Sequence, residues 1–504
     1  VRTGLCVDHV AEPFFNGAPV EQVVRFRELM TTAPATSAPK RTLGVVDVAL
    51  FMVTASCTLQ WTATAAAIGP SSLVIWVLGG LAMFLPLSVC VVFLSSRYPD
   101  EGGLYAWSAR AFGPFAGFMA GWTYWTGTLA FLPSVLYFTA GSALLASIYR
   151  DVGDATPAYF VGFSLAVLAV SVALNVRGIA VAKWLNNAGA VARWLGTLLL
   201  VALAVMSWWR FGPATPINRQ TLTPTFRLAD VIFWTTLAFC WTGPEAASFM
   251  SREIRDPQRT VPRALFIAAP MIAAIYIIGT TSILISIPAE RASGLYGVIE
   301  SIRAAAGRLG LWWLVPVGAA CVAVDRIGSV CLWIGALARI PTSAGLDRYL
   351  PRSFTTLHPK RGTPVVAIWT QAILVATLVV LGQSGSSVRS AYNVLIEMMI
   401  VASMLPILLL FGAAMKLSAE PPLEGEVRIR GGRMTVVATA LLGSVTTLAS
   451  MMLSFVPPPE EENPTSAVLK VAVTTGALLL GGAAVYLIGS VRARRAALAL
   501  GPVD

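Results

Sequence analysis

Seven consecutive residues, Phe239-Cys240-Trp241-Thr242-Gly243-Pro244-Glu245, set a helix-breaking pair and a carboxylate inside an otherwise apolar run. Proline removes an amide donor and clashes with the preceding turn, while glycine tolerates unusual dihedrals. A helix interrupted there bares amides and carbonyls that hydrocarbon cannot satisfy but a polar ligand can. The same pattern also suits a proline kink satisfied by neighbouring helices. Glu245 suits either proton relay or a side-chain hold on the bared amides. A second run, Thr54-Ala55-Ser56-Cys57-Thr58, is small and hydroxylated but contains no glycine or proline. It is compatible with a binding segment and equally with close helix packing. The third constellation is Asp325-Arg326, in the middle of another apolar run. Adjacent helical residues point about 100° apart, so these two need not pair with each other. One reading is contact with a charged group on a ligand; the other is a buried structural ion pair. Arginine keeps its charge in proteins, so Arg326 carries no proton. Arg193, in a further apolar run, is expected to extend its side chain to interfacial water.

The elements that must position these groups are membrane helices. Of 504 residues, 56% are hydrophobic and 12% charged, about half the charge of a soluble domain. Apolar runs of ~20 residues, enough to cross a bilayer, recur throughout. Twelve are predicted, at about 43–67, 71–95, 111–149, 158–176, 188–209, 229–251, 263–287, 311–339, 364–381, 390–414, 433–455 and 467–491. Residues 292–307 read as a short surface helix, and a tail over 1–42 carries one short amphipathic stretch (Val20, Val23, Val24, Phe26, Leu29). With the N-terminus inside, 26 of the 36 lysines and arginines fall on the inner side and 9 outside. The positive-inside rule then predicts that both termini, including a short tail over 492–504, are cytoplasmic. The fold class expected is an all-α membrane protein with 12 transmembrane helices. A five-helix repeat over 43–209 would be followed by an inverted copy over 229–414, with two additional helices over 433–491. In that division spans one and six are equivalent.

The net charge of +11 is spread over short loops with no continuous basic face, which argues against nucleic acid as a partner. Five of the six cysteines (Cys57, Cys90, Cys240, Cys321, Cys331) lie in apolar segments and show no disulfide spacing. His9 and His358 are far apart, so no metal site is legible and no cofactor is expected. An intramembrane enzyme would need facing aspartates or a metal-binding histidine helix; the sequence shows neither, and no catalytic residue is assigned.

Three stretches resemble the amino acid–polyamine–organocation superfamily of transporters. They are RYPDEGGLYAWSARAFGPFAGFMAGWTYW (97–125), FCWTGPEAASFMSREIRDPQRTVPRA (239–264) and ARIPTSAGLDRYLP (338–351), the last followed by Gly-Thr-Pro at 362–364. They occur in the superfamily's order, with its span count. The chain looks most like the glutamate/γ-aminobutyrate antiporter branch, through Thr54-Ala55-Ser56, RIRGG (428–432) and SFVPPPEEEN (454–463). It departs from that branch at Phe93, where a glutamate is common, and in the short stretch after span twelve, where the branch's cytoplasmic plug is not expected.

The resemblance implies a five-plus-five inverted repeat, alternating access and a central site for an amino acid or related amine in a bilayer, the inner membrane of a cell. On that basis Thr54, Ala55, Ser56 and Cys57 receive the substrate carboxylate, and Phe239, Cys240, Trp241 and Thr242 receive its ammonium or cover it. Gly243, Glu245, Asp325 and Arg326 are assigned to gating or coupling. Whether the transporter exchanges substrates or couples them to protons stays open, as does a non-transporting sensor on the same fold. Sodium coupling is disfavoured, because Arg326 sits one turn from Ser329, the hydroxyl span eight would offer a cation. Oligomeric state is not legible.

Overall fold

The computed structural model describes residues 43–98, 103–145, 156–250, 254–343, 346–354, 356–359, 361–383, 388–423, 426–457 and 463–499. The amphipathic stretch expected near Val20, Asp100 and Glu101 of the first motif, Glu253 of the second and the tail beyond 499 lie outside these residues. The described chain is helical; its one β contact is the isolated bridge between Leu43 and Ile254.

Ten helices are long and apolar enough to cross a membrane by length and composition. The two expected spans without such a helix are 43–67 and 229–251. In the first, α1 (Val45–Ser56) ends and α2 (Leu59–Ile68) begins after Cys57 and Thr58, both extended. In the second, α8 (Leu228–Cys240) is followed by a 3-10 turn over Pro244–Met250. Between these pairs run α3 (Ser71–Arg97), α4 (Leu104–Phe112), α5 (Pro114–Leu144), α6 (Pro157–Arg177) and α7 (Ile179–Phe211). After the second come α9 (Pro257–Ser286), α10 (Gly297–Leu309), α11 (Leu314–Leu337), α12 (Val365–Gln383), α13 (Val388–Leu417), α14 (Gly432–Leu453) and α15 (Pro464–Ala499). The expected third span therefore starts later, at Pro114, and α4 before it is a separate helix. The surface helix expected at 292–307 is α10.

Local chemistry explains the main interruptions. Gly243 has φ +132°, a conformation that side-chain-bearing residues rarely adopt, and Pro244 cannot donate to the turn before it. Gly69 (φ +100°) ends α2, and Pro70 leads into α3. Midway along α3 the turn widens to a π-helix over Gly80–Phe84. The Trp241 indole lies against it; a Cβ on Gly79 would come 3.0 Å from that ring.

Helix α5 is the most enclosed of the ten spans and α15 the least. Large apolar side chains stand exposed on the outer surface, among them Trp209, Phe266, Met434 and Leu480. Water would penalise such a surface, whereas lipid accommodates it. The chain is thus a multi-pass membrane protein. Two glycine contacts bring the inner helices together. Helices α7 and α11 meet at Gly189 and Gly328, where a Cβ on Gly328 would stand 2.8 Å from the Leu185 carbonyl. Helices α5 and α13 meet at Gly127, where a Cβ would stand 2.9 Å from the Ser403 amide.

Candidate functional site

The two interruptions face each other. A Cβ on Gly243 would collide with Ser56 Oγ, so the turn after α8 packs directly on the end of α1. Tyr276, on α9, reaches both: its hydroxyl lies 2.6 Å from the Ser56 carbonyl and 2.9 Å from the Cys240 carbonyl. Its ring stacks on Trp76 (centroids 4.0 Å apart, planes at 6°), and Trp76 Nε1 donates to Thr280 Oγ1 at 3.0 Å. The Gly243 amide donates to Glu245 Oε2 at 2.8 Å, so Glu245, itself buried, holds an amide bared by the interruption. The first amides of α2 have no preceding helical turn to bond, which leaves donors and the positive end of the helix dipole at Thr58–Gln60.

A cavity of about 100 Å³ opens beside these ends. From the two interruptions it is lined by Ser56, Thr58, Phe239, Cys240, Thr242, Gly243 and Glu245. Helix α5 contributes Tyr124, Thr128 and Phe131, α13 contributes Met399 and Ser403, and Arg193, Arg326, Ser329 and Trp333 complete the wall. Phe239 meets Trp61 edge-on (5.9 Å), and Trp61 stacks on Phe131 (5.8 Å), forming an aromatic wall. The hydroxyls of Ser56 and Thr58 are buried without a hydrogen-bond partner among the described residues. Unpaired buried polar atoms are costly, and a polar ligand or water would satisfy them.

A second cavity of about 120 Å³ adjoins the first, lined by Cys57, Asn186, Gly189, Arg193, Asp325, Gly328 and Ser329 among others. Thr58, Arg193 and Ser329 belong to both walls. Here three charges meet. Asp325 Oδ1 accepts from Arg193 Nε at 2.9 Å, while Asp325 Oδ2 accepts from Arg326 Nε at 2.8 Å and also from Arg326 Nη2. Arg193 Nη2 also donates to Ser329 Oγ at 3.0 Å. Asp325 and Arg326 are 1% and 2% exposed, whereas the Arg193 side chain keeps 22%. The glycine contact of α7 with α11 places Arg193 one turn beyond Gly189, opposite Asp325, close enough for this contact.

Most of the candidates read from sequence meet here. Ser56, Phe239, Cys240, Thr242, Gly243, Glu245 and Arg326 line the first cavity; Cys57 and Asp325 line the second. Thr54 and Ala55 fall in the last turn of α1, and their side chains lie outside the description. The interruption sits at Cys57 and Thr58, at the end of the run rather than across it. Trp241 does not line either cavity; it is buried against Trp76, Phe84 and Tyr276. Asp325 and Arg326 do pair with each other, despite the angular separation of neighbours on a helix, because the long guanidinium bends back to its own helix. Arg193 does not extend toward the interface; it reaches Asp325. Trp61, Tyr124, Thr128 and Tyr276 were not singled out by the sequence, and Thr58 was named only as the last residue of its run.

The profile of the amino acid permease family matches residues 43–478. The chain belongs to that family. As a permease it falls within the amino acid–polyamine–organocation superfamily, as the three ordered motifs implied. An uncharacterized transporter of Legionella pneumophila is 26% identical over 423 residues, covering 83% of this chain and 90% of its own. A probable agmatine/putrescine antiporter of Lactococcus lactis is 26% identical over 326 residues, 63% of this permease and 67% of that one. A glutamate/gamma-aminobutyrate antiporter of the same species is 23% identical over 386 residues, 75% and 76% of the two chains. All three are named as transporters or antiporters. This permease is therefore a membrane transporter, and its substrate is a small molecule.

Proposed function

We propose that the chain is a secondary-active amino-acid transporter that exchanges substrates by alternating access around two discontinuous crossings. In this reading α1 with α2, and α8 with the turn at Pro244–Met250, each make one crossing, which brings the count to twelve. Residues 43–209 and 229–414 are then inverted five-helix repeats, 433–491 add two helices, and both termini face the cytoplasm of a cell's inner membrane.

The observation that carries the reading is the packing of one interruption on the other, Gly243 on Ser56, at the edge of a cavity. An amino acid presents a carboxylate and an ammonium. The carboxylate suits the amide-rich start of α2, where the dipole is positive. The ammonium suits carbonyls at the end of α8, with Phe239 beside it as a lid that also attracts the cation. Glu245 holds the interrupted turn, and Tyr276 links the two ends, so ligand contact with either is transmitted to the other. Exchange is favoured over proton symport by the two relatives named as antiporters.

The test is flux. Purified protein in proteoliposomes loaded with a mixture of amino acids takes up labelled external amino acid, and uptake falls when the interior is empty. Equal uptake with and without internal substrate contradicts exchange. Binding without any flux turns the reading toward a sensor.

A further inference from the structure

The three charges beside the cavity do not balance. Asp325 is one carboxylate shared by two guanidiniums, Oδ1 with Arg193 and Oδ2 with Arg326. Neither arginine obtains the two-oxygen fork that makes arginine–carboxylate pairing strong. Among the described residues, Arg326 spends its bonds on one oxygen of Asp325, yet a guanidinium has five N–H donors. Glu245, the acid on the wall of the first cavity, accepts from the Gly243 amide and forms no ion pair with either arginine among the described residues. Arg326 lines that same cavity while 2% exposed overall. A surplus positive charge on a side chain this buried is costly unless an anion joins it.

We propose that Arg326, with Arg193 behind Asp325, selects substrates carrying one negative charge beyond the amino-acid zwitterion. This rests on the transport reading above and names its substrate class. The second anionic group, a side-chain carboxylate, takes the fork that Asp325 leaves unfilled and neutralises the triad. A diamine instead adds charge to a site already positive. The two antiporters similar to this chain are named for substrates of different charge, the cations agmatine and putrescine against anionic glutamate and zwitterionic γ-aminobutyrate. The triad places this chain with acidic cargo. Arg193 acts through Asp325 and is a positioning residue.

The decisive comparison uses an isosteric pair that differs in one charge. Proteoliposomes holding the full chain are loaded with acidic, neutral and cationic amino acids together, so that any substrate finds an exchange partner. Uptake of labelled L-glutamate, L-glutamine and putrescine is then measured. Glutamate enters at least about tenfold faster than glutamine, and putrescine is excluded. Arg326→Gln erases the glutamate-over-glutamine ratio while glutamine still enters, and Arg326→Lys retains part of it. Arg193→Gln, at a partly exposed position better able to tolerate change, also lowers the ratio, because Asp325 then cancels Arg326 alone. Glutamine or putrescine entering as fast as glutamate overturns the inference. So does a ratio that Arg326→Gln and Arg193→Gln both leave untouched in monodisperse protein. Flux confined to neutral or cationic solutes overturns the selectivity and leaves the transport reading standing; no flux of any kind overturns both.

Discussion

The Tyr276 hydroxyl owns one proton and faces two carbonyls, those of Ser56 at 2.6 Å and Cys240 at 2.9 Å. At any moment one carbonyl is less than fully bonded, so small shifts at either interruption change which one the hydroxyl serves. Tyr276→Phe keeps the ring that stacks on Trp76 and removes the shared donor. Exchange in proteoliposomes should fall about tenfold, with the protein still monodisperse; an unchanged rate would mean that the hydroxyl only fills space. How much of the site could be read from sequence depends on how rare each residue type is in an apolar run. Glu245, Arg326 and the Gly243-Pro244 pair are conspicuous there. Thr128 is not, because a membrane-helix threonine ordinarily bonds back along its own helix, as its Oγ1 does to the Tyr124 carbonyl at 2.7 Å. Nothing in the linear pattern says that its helix face also meets a cavity. Arg193 was misjudged for a different reason. Its depth in the span suggested reach to the interface, and its partner Asp325 is 132 residues away.

Helices α7 and α11 hold the triad because two glycines let their backbones approach. Gly328→Val would thrust a branched side chain at the Leu185 carbonyl, 2.8 Å from the Cβ position. Separating the helices should destabilise the protein by about 1–3 kcal/mol. It should also pull Arg193 away from Asp325, lowering the melting temperature and abolishing exchange together. A variant that melts as the parent does and transports normally would show that the close approach is dispensable. The order and approximate limits of the long helices were legible, because apolar runs bounded by charge fix them. The interruption after α8 was legible too, since Gly243-Pro244 breaks a helix by its own chemistry. The first interruption was displaced in the sequence reading: Cys57 and Thr58 are neither glycine nor proline, and the partner beside their extended backbone, Gly243 against Ser56, is far away in the chain. The expected third span began at 111 and so took in the last two residues of α4 ahead of α5. The Gly113-Pro114 step that separates them lies within one continuous apolar stretch, and Gly113 takes φ +94°.

For the whole molecule, the account requires a defined direction in the membrane and a central place where the solute rests. The proposed direction rests on the lysine and arginine bias, 26 of 36 on one side of the expected spans. Cysteines introduced in a background lacking the reactive native thiols report it: Thr223→Cys should react with an impermeant maleimide from outside intact cells, and Arg430→Cys only after permeabilisation. The reverse pattern would invert the topology. The resting place is tested by occupancy. Thr242 lines the cavity between the facing interruptions. A Thr242→Cys variant should be modified by a small thiol reagent at a measurable rate, slowed several-fold by whichever amino acid the proteoliposomes exchange fastest. The half-protecting concentration should match that for half-maximal exchange. If a solute that is demonstrably transported leaves the modification rate at Thr242→Cys unchanged at saturation, the solute does not pass between the two interruptions.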